Sequence, residues 1–111
     1  MKKVVYKSPV SDGAGLTLIS VQGERINNKI GIFYPLAIQR TIEGLHPLRF
    51  RKRSFIVVHI PTGCSISYPE STRKLAIESA KNRVSKKSVK EQRAAIRDAK
   101  KRINEIGRDT R

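Results

Sequence analysis

The chain has 111 residues, 38% of them hydrophobic, and its 24 basic against 9 acidic side chains leave a formal net charge of +15. A chain of this length folds around one core rather than two, and this apolar content is enough to build it. Like charge at this density costs self-repulsion in the folded state, which invites a polyanionic partner, nucleic acid first. The plainer reading is a basic, solvated surface that aids solubility, and membrane surfaces and acidic proteins are the remaining alternatives.

The amino-terminal part reads as strands. Val4, Val5 and Tyr6 form a short β-like patch closed by Lys7, Ser8 and Pro9, and Ser11 to Gly15 has turn composition. Leu16 to Gln22 has high β propensity, with Leu16, Leu18 and Ser20 on one face and Thr17, Ile19 and Val21 on the other. Gly23 to Lys29 is polar, and Asn27-Asn28 can close a hairpin there. The next strand is therefore expected from Ile30, with Ile32 and Tyr34 on its face, until Pro35 interrupts the ladder. Residues 36 to 43 fit either an extended continuation or one or two helical turns. Gly44 and Pro47 mark the connection that follows.

Phe55 to Ser67 is the best buried strand, a turn and a return strand. Ile56, Val58 and Ile60 alternate with Phe55, Val57 and His59, so both faces are largely apolar and the strand belongs inside a sheet. Pro61 and Gly63 make the turn, after which Cys64 and Ile66 resume the alternation. From Pro69 the period becomes helical. A first helix is predicted from Pro69 or Glu70 to about Val84, burying Leu75, Ala76, Ala80 and Val84 with help from Ile77. Ser85 to Ser88 breaks it, because Ser88 and Glu91 have capping-box spacing. A second helix then carries a seam from Val89 through Gln92, Ile96, Ala99, Ile103 and Ile106 to a C-cap at Gly107. Arg108 to Arg111 are expected to fray.

Positive charge belongs to both halves: residues 70 to 111 hold 14 basic and 6 acidic side chains, and the rest of the chain carries the remaining +7. On the second helix Glu91, Asp98 and Glu105 can pair with Lys87, Arg102 and Lys101, each worth roughly a few tenths of a kcal/mol. The densest cluster is Arg49, Arg51, Lys52 and Arg53, with Phe50 inside it and Phe55 just beyond. Cations interleaved with rings suit nucleic acid, since charge tracks phosphate while a ring stacks on an unpaired base. The competing reading is a solvated hairpin tip with Phe50 packed into the core. Lys86, Lys87, Lys90, Arg93, Arg97 and Lys100 make a second basic patch.

Signals for catalysis are weak. Cys64 is the only cysteine, which leaves no intrachain disulfide and suits a reducing compartment. Its neighbour across the turn is His59, so a Cys/His pair stays open beside the commoner reading of a small buried thiol. Asp12, Glu24 and Glu43 are scattered, His46 and His59 lack metal-ligand spacing, and Gly13 to Gly15 is too short for a phosphate cradle. No cofactor and no metal are expected. MKKVVYKSPV contains no long apolar run, so neither a secretory signal nor a membrane helix is expected, and a cytoplasmic location follows.

The run V-V-H-I-P-T-G-C-S-I, followed by T-R-K-L-A-I-E-S-A, resembles a strand–turn–strand–helix pattern of small, function-unassigned proteins of bacteriophages and related mobile elements. The resemblance spans Phe55 to Val84, about a quarter of the chain. It implies a bacterial host cell and an accessory role, and it carries over no site residue.

The expected fold is α+β: a single domain with an antiparallel sheet of about four or five strands, followed by C-terminal helices. Residues 1–84 would supply the sheet and first helix, and 85–111 a basic helix, packed on the domain or protruding. The leading function is a non-enzymatic nucleic-acid-binding accessory protein, for DNA or RNA, held mainly through phosphates with little sequence preference. The alternatives are an inhibitor or modulator of a host nucleic-acid-processing enzyme or other acidic protein, and a structural component of a ribonucleoprotein particle. For a protein interface or homodimer, the C-terminal helix offers Gln92, Ile96, Ala99, Ile103 and Ile106.

Overall fold

In a computed structural model, which describes residues 2–11, 13 and 15–109, the chain to Ser65 is a meander of β1 (Lys2–Ser11), β2 (Leu16–Ile26), β3 (Leu36–Leu45), β4 (Leu48–His59) and β5 (Cys64–Ser65). These form one five-stranded antiparallel sheet in sequence order. Two helices follow, α1 (Arg73–Ser85) and α2 (Val89–Asp109), so the architecture is a single α+β domain, as the pattern predicts. Among the described residues, no helix is long and apolar enough to cross a membrane.

Pairing is uneven, and that unevenness shapes the molecule. β1 and β2 pair along their whole length, from Lys2↔Arg25 to Ser11↔Leu16, while β2 meets β3 only from Glu24↔Ile38 to Ile26↔Leu36. Beyond Glu24 the β1–β2 hairpin therefore parts from the β3–β4 hairpin and folds across one of its faces. Tyr6 and Val21 from the first hairpin pack there with Ala37 and Val58 from the second. The Tyr6 hydroxyl donates to Gln39 Oε1 within this layer, and Gly23 lies under it, where a Cβ would stand 2.8 Å from the Tyr6 oxygen. The far end is closed by Ser8, whose hydroxyl donates to the Gly63 carbonyl over 2.8 Å. Gly63 has φ +67°, and an added Cβ would stand 1.9 Å from the Lys7 carbonyl oxygen, so only glycine fits this approach.

The opposite face of the β3–β4 hairpin carries the main core, in which Leu36, Ile38 and Val57 meet Phe33, Ile66 and the α1 stripe Ala76, Ala80 and Val84. Two alanines let the helix axis come close to the sheet, and Val84 adds about 2 kcal/mol of burial. α1 begins later than Pro69 because Glu70 is drawn into a two-bond bridge with Phe55, its N–H donating over 2.9 Å and its carbonyl accepting over 2.7 Å. Thr72 then caps the helix by accepting from the Leu75 N–H. Leu75, expected in the stripe, is exposed: the face that packs on the sheet is set by Ala76, Ala80 and Val84 with Ile77 beside them, and Leu75 stands on the other side of Ala76 from it.

α2 begins at the predicted capping box: Glu91 Oε1 accepts from the Ser88 N–H and Ser88 Oγ from the Glu91 N–H, each over 3.2 Å. The expected seam is turned onto the chain's own body. Ile96 packs against the main core, Gln92 and Ile106 are buried, Ala99 and Ile103 are half-buried, and Val89 alone is exposed. Gln92, the polar member, accepts from the Ile32 N–H over 3.0 Å and donates to the Lys87 and Val84 carbonyls over 3.0 and 3.5 Å. One amide thus ties a loop to the turn between the helices.

Three further expectations need correction, and one open alternative is settled. Residues 30–35 are not a strand: Gly31 takes φ +58°, and Ile30 and Phe33 close a tight turn that buries both. Residues 36–43 are extended, which settles the open alternative. Gly107 does not cap α2, which runs on to Asp109; of the residues expected to fray, Thr110 and Arg111 lie outside the described ones. The expected pairs of Glu91, Asp98 and Glu105 with Lys87, Arg102 and Lys101 are absent. Among the described residues the ion pairs are Arg73–Glu24 at 2.9 Å and the exposed neighbours Arg97–Asp98 at 3.9 Å, so most of the positive charge goes unmatched.

Candidate nucleic-acid interface

The first basic cluster lies on β4, and the register there is unusual. Ladder partners are Arg40↔Phe55 and then Ile42↔Phe50, so Arg51, Lys52, Arg53 and Ser54 stand opposite the single residue Thr41. Thr41 and Ser54 hydroxyls hydrogen-bond at 2.7 Å and tie the base of this bulge. Arg51, Lys52 and Arg53 are excess to the ladder and all exposed, as is Arg49 beside the hairpin turn. Phe50 and Phe55 bracket the bulge, and both are half-buried against the cores. Phe50 thus belongs to the packing as well as to the cluster.

Beside the bulge, the fork between β2 and β3 leaves a cleft of about 280 Å³. Its walls are Gln22 and Glu24 of β2 and Ile38 and Arg40 of β3, with Phe50 and Phe55 from β4, Lys3 from β1 and Arg73 from α1. The Arg40 and Arg73 guanidinium carbons lie 6.0 and 5.4 Å from the Phe55 ring centroid. Arg73 is held by its ion pair with Glu24, whereas Arg40 has no carboxylate partner among the described residues. Three cations against one carboxylate leave the cleft positive. α1 starts at its edge with no acidic residue in the first turn, so the helix dipole adds to that potential.

The second basic patch is separate. Lys86, Lys87, Lys90, Arg93, Arg97 and Lys100 are exposed at the far end of α1 and along the outer side of α2. The 13 residues of α1 put roughly 20 Å between this region and Phe55. Further Arg–ring pairs lie at the surface, Arg83 at 4.4 Å from the Tyr68 centroid and Arg25 at 5.8 Å from that of Tyr34.

His59 and Cys64 are cross-strand partners and share a small cavity of about 100 Å³ with Phe33, Thr62, Arg83 and Lys87. They do not form a nucleophile–base pair. His59 Nδ1 is engaged with Thr62 Oγ1 at 3.0 Å and its ring stands edge-on to Phe33, while the Cys64 thiol turns to the Thr62 carbonyl at 3.6 Å. Burial lowers the His59 pKa, with the Lys100 charge adding to the effect and a hydrogen bond to the Tyr34 backbone opposing it. Burial pushes the thiol up, so Cys64 stays protonated. Among the described residues, no three His, Cys, Asp or Glu side chains gather where they could hold a metal.

The sequence marks the basic run Arg49, Arg51, Lys52 and Arg53 but not the bulge that displays it, and it gives no sign of Lys3, Arg40 and Arg73, which converge only through the register of the two hairpins. Comparison of the chain with protein-family models, with curated proteins and with solved structures gives no match.

Proposed function

We propose that the protein is a non-enzymatic nucleic-acid-binding accessory protein that holds its partner mainly through phosphates, with little sequence preference. The observation that carries this reading is the convergence of Lys3, Arg40 and Arg73 on a ring-lined cleft next to the bulged Arg51, Lys52 and Arg53. Arg73 is paired with Glu24, but Lys3, Arg40 and the bulge cations have no carboxylate partner among the described residues, and such charges are what a polyphosphate backbone neutralises, with release of its counterions. The basic surface of α2 supplies a second contact region for a strand or duplex that passes the end of α1.

Replacing Arg51, Lys52 and Arg53 together by Gln tests the reading. Each lost phosphate contact flattens the plot of log K against log salt by about 0.7 to 0.9, so the triple variant should lose roughly 2 to 3 in slope. An unchanged slope would remove the bulge from the interface.

A further inference from the structure

We infer that the cleft at the β2–β3 fork accepts one unpaired base, so that the protein prefers single-stranded to double-stranded nucleic acid. The inference rests on the nucleic-acid reading above and goes further in naming the form of the partner. A duplex presents phosphates on a convex surface with its bases turned inward. Such a surface can meet the exposed bulge, but it leaves a concave cleft of about 280 Å³ unused.

The lining of the cleft is mixed in a way that suits a nucleotide. Ile38, Phe50 and Phe55 give it an apolar side, and Lys3 and Arg40 stand on its walls. Glu24 is inside it as well, and a carboxylate there repels a phosphate. The part of a nucleotide that enters is therefore the neutral base, with its phosphate kept toward Lys3 and Arg40. Flat partners for the base are present in the Phe55 ring and the two guanidinium groups set over it at 5.4 and 6.0 Å. Bases stack on rings and on guanidinium planes alike. Arg73 is fixed by Glu24 at 2.9 Å, while Arg40 has no carboxylate partner among the described residues and is available to the incoming nucleotide. The amide of Gln22, exposed on the wall of the same cleft, can meet a base edge.

The test compares four labelled oligonucleotides of equal length on the full chain at one salt concentration: oligo-dT, oligo-rU, an abasic single strand and a duplex. Oligo-dT, oligo-rU or both should bind roughly tenfold tighter than the abasic strand and the duplex, and the tighter of the two identifies the sugar. Arg40→Lys keeps the charge and removes the plane. With circular dichroism unchanged, it should cost the base-bearing single strands about fivefold and the duplex less than twofold. The inference is overturned, and phosphate binding retained, if the abasic strand or the duplex binds as tightly as both base-bearing strands. A uniform loss across all four ligands in the Arg40→Lys protein also overturns it, by taking the base out of this cleft. Absence of binding to every ligand overturns both this inference and the function on which it rests.

Discussion

Gln92→Leu isolates the polar tie between the helices and the sheet. Leucine nearly conserves volume, so the cost is set by hydrogen bonds rather than by a cavity. Three bonds are lost, but they are unequal. The Val84 carbonyl still accepts from the Lys87 N–H at 3.0 Å, and the Lys87 carbonyl belongs to an exposed turn that water can reach. The Ile32 N–H has no such substitute, because Gln92 Oε1 is its partner and the site is part-buried. An orphaned buried donor costs about 1 to 3 kcal/mol, partly offset by burying leucine, so the net expectation is a loss of about 2 kcal/mol. Gly31 makes the arrangement tight, since a Cβ there would lie 2.3 Å from Gln92 Oε1. Urea unfolding should show the midpoint falling with the m value unchanged, and the Tm should drop by roughly 8 °C. Arg93→Ala, one residue on and exposed, should stay within about 0.5 kcal/mol of the parent. A Gln92→Leu protein as stable as the parent would refute the reasoning.

Two further predictions concern the sheet. Gly63→Ala should cost upwards of about 3 kcal/mol, because positive φ, a clash with the Lys7 carbonyl and loss of the Ser8 bond act together. Urea unfolding reads this, and parental stability would mean that β1 does not lie against the turn. His59 is held below its ordinary pKa of 6.5, first by burial and then by Lys100, so the unfolded chain takes up a proton that the folded chain resists. Stability is therefore full above about pH 6.5 and falls as the pH drops through the window below it. His59→Gln should flatten that part of the stability–pH curve, and an unaltered slope would show that His59 does not titrate against folding.

What could be read from sequence was local. The capping box at Ser88 and Glu91, the buried run Val57-Val58-His59 and the break between the helices each depend on residues within a few positions of one another. Gln92 was visible as a polar member of an apolar seam, but its reason was not, because its acceptor role is to the N–H of Ile32, 60 positions away. Ile30, Ile32 and Tyr34 imitate a strand by alternation. Gly31 in the left-handed region turns the chain instead and puts Ile30 and Phe33 inside together. The start of α1 shifted because Phe55 claims Glu70 through backbone bonds that no helix propensity anticipates. The cleft was the least legible part. Lys3, Arg40 and Arg73 carry no common motif, and they meet only because β2 leaves β3 after the Glu24↔Ile38 pair.

The most direct test of the account is a fluorescence-anisotropy titration of the full chain with single- and double-stranded DNA and RNA across a salt series. Submicromolar binding at about 50 mM salt is expected, falling by roughly three orders of magnitude by about 200 mM as six or more phosphate contacts are lost. No binding to any of these ligands at the lowest salt, in a protein carrying +15, would contradict it.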